Sequence, residues 1–151
     1  SIRIANPYFV PDGAAVEALK EARARGVTVQ IMVSGERADH WLARHNSARL
    51  YGRLLEAGVT IHEYELTMLH HKVMVVDEKW ATIGTANFDN RSLRLNFEVM
   101  AMMYDEGVNQ QLADTFTVDL AHARALHVRD SRRPFLERLF EATARLLSPQ
   151  L

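Results

Sequence analysis

The sequence predicts a mixed α/β domain with a mostly parallel central sheet flanked by helices. Three observations predict it. Residues 2–64 run strand–helix–strand–helix–strand, an order that implies parallel pairing through right-handed crossovers. The turn Asp77-Glu78-Lys79 then separates two short β-rich runs, a hairpin signal. Two amphipathic helical stripes follow toward the C-terminus.

Taken in order, residues 2–10 read as a buried strand closed by Asn6-Pro7 and Pro11-Asp12-Gly13. Asp12 can cap an alanine-rich helix from about Gly13 to Arg25 that ends at Gly26. Val27 to Val33 is the second strand, and Ser34-Gly35-Glu36 a loop. A second helix is expected over roughly His40 to Ala57, with Leu42, Leu50, Leu54 and Leu55 on its apolar face and Gly58 as its stop. Val59 to Tyr64 is the third strand. Beyond it, Lys72–Val76 and Trp80–Gly84 form the hairpin, and Asn96–Tyr104 is a further strand. A helix from Gly107 to about Leu126 places Val108, Leu112, Phe116, Leu120 and Ala123 on one stripe. Phe135 to Leu147 is a last amphipathic helix.

Composition limits the possible functions. The 151 residues are 48% hydrophobic and 25% charged, which suits one globular domain with a sizeable core. The formal net charge of -1 supplies no global basic field, so nucleic acid is not the expected partner. With no cysteine, there can be neither a disulfide framework nor a thiolate metal site. Apolar runs such as Val99 to Met103 are far shorter than the ~20 residues that span a bilayer. No signal-peptide pattern is present. The chain passes from Ser1 straight into a strand-like run, so it is expected to be a piece of a longer protein, with any membrane segment outside it.

The chemistry-bearing stretch is His70-His71-Lys72-Val73-Met74-Val75-Val76-Asp77, followed by Gly84-Thr85-Ala86-Asn87. Strand residues alternate faces, so His70 and Lys72 point one way, while His71 and Asp77 have the other parity. Across the hairpin Thr85 and Asn87 share a face, and Gly84 allows close backbone approach. These groups suit a phosphodiester. Lysine offers a point charge to the non-bridging oxygens, and the asparagine amide adds donors. A neutral histidine can attack phosphorus and form a phosphohistidine, given an acceptor at its other ring nitrogen to set the tautomer. Glu98, inside the apolar run Phe97–Met103, is the candidate for that acceptor, because a carboxylate there needs a partner. The leaving alkoxide needs a proton, which the attacking histidine cannot comfortably supply as well. His40, His45 and His62 stay open as second histidines, but nothing in the sequence places them opposite His70. The chemistry therefore points to a second motif from outside this chain.

The pattern His70-x-Lys72-x4-Asp77, with Gly84-x-x-Asn87 and downstream Glu98, resembles the phospholipase D superfamily and its HKD motif. Pro7-Tyr8-Phe9-Val10-Pro11-Asp12 and the run from Thr85 through Asn90-Arg91-Ser92 to Phe97-Glu98 are similar to the C-terminal half of bacterial cardiolipin synthases, over roughly residues 1–125. The resemblance implies one phospholipase D-like half-domain over residues 1–151, with a C-terminal amphipathic helix at about 131–147. It makes His70 a catalytic histidine, Lys72 and Asn87 phosphate ligands, and Glu98 the group that orients His70. Asp77 becomes a structural member of the motif. Thr85 stands where the family often has serine, and Tyr8 joins it as a possible pocket residue. No cofactor and no metal are implied.

The implied reaction is phosphatidyl transfer. One histidine attacks a phospholipid and releases its head-group alcohol, and the primary hydroxyl of phosphatidylglycerol then resolves the intermediate to give cardiolipin. The implied partners are phosphatidylglycerol, a membrane surface, and either a missing N-terminal half-domain or a second copy carrying the other motif. The implied location of the parent is the bacterial cell membrane, peripheral on the cytoplasmic side. The alternatives are a single-motif homodimeric phosphodiesterase or nuclease, a phospholipase D hydrolase, and a non-catalytic half-domain.

Other residues have plainer expected roles. His71 is expected to pack, Arg91 and Arg94 to make structural or interface pairs, and Met100, Met102 and Met103 to fill the core. His122 and His127 are expected on the surface. The Arg-rich stretch from Arg124 to Arg145 reads as a helix packed on the domain, with contact to anionic lipid as the functional alternative.

Overall fold

The β-branched runs of the first half pair as their order implies. In a computed structural model, which describes residues 1–35 and 50–128, β1 (Ile2–Ala5) lies parallel to β3 (Val29–Ser34), and β3 parallel to β4 (Thr60–Tyr64). Between β1 and β3, helix α1 (Gly13–Ala24) begins where Asp12 accepts a hydrogen bond from the Ala15 amide at 2.8 Å. It ends at Gly26, whose φ of 87° suits a residue without a Cβ. Residues 50–56 are helical (α2) and lead into β4.

The second half adds antiparallel strands on both sides of this parallel core. Strands β5 (Val73–Val76) and β6 (Trp80–Gly84) form the expected hairpin. Its three-residue connection puts Asp77 and Glu78 at φ 52° and 53°, the left-handed pair of a type I′ turn, with the Lys79 N–H donating to the Val76 carbonyl at 3.1 Å. Strand β8 (Met100–Met103) joins β6, and β9 (Ala123–Ala125) joins β4, both antiparallel. The resulting order is β8-β6-β5-β1-β3-β4-β9. The sheet is mixed, as predicted, but parallel pairing is confined to β1, β3 and β4. From β5 onward each new strand of this sheet enters antiparallel to its neighbour, and the segment through α4 (Glu106–Leu120) carries the chain from β8 at one edge to β9 at the other.

Side-chain alternation gives the sheet two buried faces. Ile4, Val29, Ile31 and Val33 pack with Val16 and Leu19 of α1 and Leu54 of α2. Ala5 and Met32 face the other way, onto Leu69 and Phe116. Phe116 belongs to α4 (Glu106–Leu120), which also packs Ala113 against Val75 and Ala81. The layers are therefore helix, sheet, helix.

Several boundaries differ from expectation. The first strand breaks at Asn6-Pro7 into β1 and β2 (Phe9–Val10), and β2 pairs in parallel with β7 (Phe88–Asp89) as a separate small sheet. The expected strand Asn96–Tyr104 is shorter, because residues 96–99 leave the ladder to form part of the site. The last described helix stops at Leu120, and the chain turns back to form β9. A short helix, α3 (Asn90–Arg94), follows β7 and is capped by Asp89. Met102 is 64% exposed, so the three methionines are not all core: β8 is the sheet's edge strand among the described residues. The expected helix at about 131–147 lies outside the described residues, as do His40 and His45.

Candidate active site

One end of the sheet collects the site. Because β5 and β6 are antiparallel, the residues before β5 and those after β6 emerge together, and Gly84 donates its N–H to the Lys72 carbonyl at 3.1 Å. Strand β8 enters from the same end, where the Thr85 N–H reaches the Val99 carbonyl at 3.0 Å. A Cβ on Gly84 would lie 2.1 Å from the Val99 oxygen, so only glycine lets these two strands meet. Strands β1 and β3 point their C-terminal ends here, and the buried Ser34 hydroxyl donates to the Leu69 carbonyl at 2.9 Å. That bond fixes the chain one residue before His70.

His70 and Lys72 lie in the approach to β5, just ahead of its first ladder residue. The Lys72 ammonium is buried and sits 3.2 Å from His70 Nε2 and 3.1 Å from the His70 carbonyl. A charged ammonium can only donate, so in this contact Nε2 is the acceptor. Burial pushes the Lys72 pKa down from 10.5, and the Glu98 charge pulls it partly back up.

Glu98 is held in turn. Its Oε2 accepts from the Thr85 hydroxyl at 2.5 Å and its Oε1 from Asn96 Nδ2 at 3.3 Å. The Thr85 hydrogen bond is the main reason its pKa lies below the ordinary carboxylate value, with Asn96, Ser92 and the Lys72 charge adding to it. Among the described residues its hydrogen bonds run to these groups and not to His70. The Thr85 hydroxyl also accepts from the Val99 amide at 3.0 Å, completing a chain from β8 through Thr85 and Glu98 toward Lys72.

Asn87 lies three residues beyond β6, and its Oδ1 is buried with no hydrogen-bond partner among the described residues. Tyr8 is half-buried on the connection from β1 to β2, its amide donating to Asn6 Oδ1 at 3.2 Å. His71 turns away toward α4, with Nδ1 3.8 Å from Asp119. Asp77 sits in the hairpin turn at the far end of β5, where it takes a bond from the Ser1 amino group. His62 lies in β4, separated from β5 by β1 and β3, and burial pushes its pKa down. Arg94 pairs with Asp12 at 2.8 Å, tying α3 to the start of α1.

Around the site the surface is apolar. Leu95, Phe97, Val99 and Met102 are exposed by 79%, 108%, 75% and 64%. Four large apolar side chains this exposed within residues 95–102 are unusual on a finished monomer surface. Among the described residues no three histidine or carboxylate side chains converge as metal ligands would, and no helix is long and apolar enough to cross a membrane.

Sequence reasoning missed Asn6, Ser34 and Ser92. All three are buried polar residues that touch the site segments from elsewhere in the chain. For Asn6 and Ser34 the sequence signal is a polar residue at the end of an apolar strand; Ser92, inside α3, carries no such signal.

The family model described as "Cardiolipin synthase, PLD-like domain" matches residues 1–120. This chain belongs to that PLD-like domain family. A cardiolipin synthase of Geobacillus thermodenitrificans is 45% identical over 152 aligned residues, covering 100% of this chain and 30% of its own length. The major cardiolipin synthase of Bacillus subtilis is 41% identical and is matched over 31% of its length. The chain thus spans about 30% of the length of these curated PLD-like relatives. Among solved structures, the fold superposes on Nuc of Salmonella typhimurium, a phospholipase D family member, with a TM-score of 0.71 at 20% identity over 83% of this chain and 81% of that one. It also superposes on a phosphatidylserine synthase of Haemophilus influenzae, with a TM-score of 0.76 at 16% identity over 96% of this chain and 39% of that one.

Proposed function

We propose that this chain is the C-terminal catalytic half of a bacterial phosphatidyltransferase that makes cardiolipin from phosphatidylglycerol through a phosphohistidine intermediate. The observation that carries the reading is the contact of the Lys72 ammonium with His70 Nε2 at 3.2 Å, at a sheet end shared with Asn87 and Glu98. Lys72 and the Asn87 amide hold the non-bridging oxygens of the lipid phosphate. An incoming phosphate draws the ammonium off the imidazole and frees the Nε2 lone pair. One histidine of the active pair attacks phosphorus, and the bond to the head-group glycerol breaks. The other histidine, supplied by the second half, gives that alkoxide its proton. It then takes the proton from the primary hydroxyl of a second phosphatidylglycerol, whose oxygen displaces the histidine from phosphorus. Two phosphatidylglycerols become one cardiolipin and one glycerol.

Glu98 keeps the buried ammonium charged beside the reacting phosphate, with Thr85 fixing its carboxylate. Asp77 serves the hairpin turn. The exposed apolar side chains around the site support a covering partner, a second half-domain or a second copy. Identity of 41–45% to cardiolipin synthases more than three times its length favours the missing half-domain. The 81% coverage of the Nuc chain favours self-association, with water as acceptor giving a phosphodiesterase. The parent is placed at the bacterial cell membrane, peripheral on the cytoplasmic side, where its substrate lies.

The test is turnover of phosphatidylglycerol to cardiolipin by the parent protein, read by mass spectrometry. His70→Ala is expected to cut it by about a thousandfold, while His71→Ala, whose ring faces Asp119, keeps most of it. The reverse outcome would mean that the motif uses the other histidine.

A further inference from the structure

We propose that Asn6 is the positioning residue for Asn87, fixing the direction of its amide toward the bound phosphate. The inference rests on the reading of Asn87 as a phosphate ligand. Asn6 is only 3% exposed and belongs to no reacting group. It directly follows β1, and its own N–H donates to the Met32 carbonyl at 3.0 Å, so its backbone is part of the central sheet. Its side chain reaches across 80 and 82 positions of sequence to the two peptide groups that flank Asn87. Nδ2 donates to the Ala86 carbonyl at 3.4 Å, and Oδ1 accepts from the Phe88 amide at 3.1 Å.

The Ala86 carbonyl belongs to the peptide before the Asn87 Cα, and the Phe88 amide to the peptide after it. Gripping both planes fixes φ and ψ at residue 87, and with them the direction of its Cα–Cβ bond. The amide orientation of Asn6 follows from the network, because its oxygen faces two N–H donors, those of Tyr8 and Phe88. Among the described residues the buried Asn87 Oδ1 has no hydrogen-bond partner. Its aim depends on the backbone, and the backbone depends on Asn6.

A plainer role exists. Asn6 sits where β1 passes into β2, and the Phe9–Phe88 pairing with ring centroids 5.0 Å apart also holds residue 88. A purely structural Asn6 would lower stability without acting through Asn87. A double-mutant cycle separates the two.

The measurement is the affinity of this chain for inorganic phosphate, followed by backbone amide signals in ¹H–¹⁵N NMR, with the side-chain amide signal of Asn87 read as well wherever that residue is present. It is made at a temperature where circular dichroism shows every variant folded. Asn6→Ala and Asn87→Ala are each expected to weaken phosphate binding by about three- to tenfold. The double variant should bind no more weakly than Asn87→Ala alone. Asn6→Ser keeps a neutral, shorter acceptor of the kind that closes the same turn, so it should recover part of the affinity; it also serves if Asn6→Ala does not fold. Additive losses, or an Asn87 signal that phosphate does not move in the wild-type chain, would overturn the proposal. Its failure is distinct from that of the functional reading. A chain that binds phosphate through a coupled Asn6–Asn87 pair, from a parent that makes no cardiolipin, would refute the reaction and leave the positioning role standing.

Discussion

Lys72 is an ammonium that the fold buries before any phosphate reaches it. Burial lowers its pKa from 10.5 and Glu98 opposes the drop. A lysine whose folded pKa is depressed binds fewer protons when folded than when unfolded. Its buried charge therefore costs stability at lower pH, and stability rises with pH through the window between the folded pKa and 10.5. The chain has three lysines, Lys20, Lys72 and Lys79, so ¹³C-labelled lysine signals can be assigned by substitution. The Lys72 midpoint is expected below 10.5, and Glu98→Gln should lower it further, since it removes the charge that raises it. A midpoint that rises or stays put in that variant would remove Glu98 from the account. The residue types of the site were legible in the sequence, because phosphate chemistry asks for a histidine, a cation and an amide donor at strand ends. Their mutual contacts were not. The cost of a lone carboxylate in an apolar run put Glu98 near the site but could not say that Thr85 and Asn96 take its oxygens. Asn6 left no local trace, because its partners lie 80 and 82 positions away.

At the scale of elements, the joint at Gly84 decides whether the site closes. There the strand end after β6 meets the approach to β5 on one side and residues 99–100 on the other. A Cβ would meet the Val99 oxygen at 2.1 Å and the Met100 sulfur at 2.6 Å. Gly84→Ala is expected to destabilise the chain by about 1–3 kcal/mol through this overpacking, read as a fall in the urea midpoint. Gly13→Ala is the control: its Cβ would meet nothing within 4 Å, and it opens α1, where alanine is the better residue. A Gly84→Ala midpoint no lower than that of Gly13→Ala would refute the close-approach argument. Helix α1 and strands β3 and β4 were legible because each carries a buried apolar face, and Gly26 and Gly58 mark the turns into the strands. The break at Asn6-Pro7, the five-residue α3 and the three-residue β9 are too short to set up a period. The length of the β8 strand was overread because its apolar residues suggested burial, whereas they lie exposed along the edge strand.

For the molecule as a whole, the same observation explains both the misread strand and the incomplete site. Leu93, Leu95, Phe97, Val99 and Met102 are exposed large apolar side chains flanking the segment that carries Glu98, which suits the proposal that a partner covers them and supplies the second histidine. A chain spanning about 30% of its relatives' length suits that reading. The most direct test is cardiolipin formation from phosphatidylglycerol, followed by mass spectrometry, with this chain held monomeric as verified by sedimentation and compared with the parent protein at equal motif concentration. The parent is expected to turn over, and the monomer to give no product above background. Strong turnover by the verified monomer would contradict the claim that this chain supplies only half of a two-histidine site.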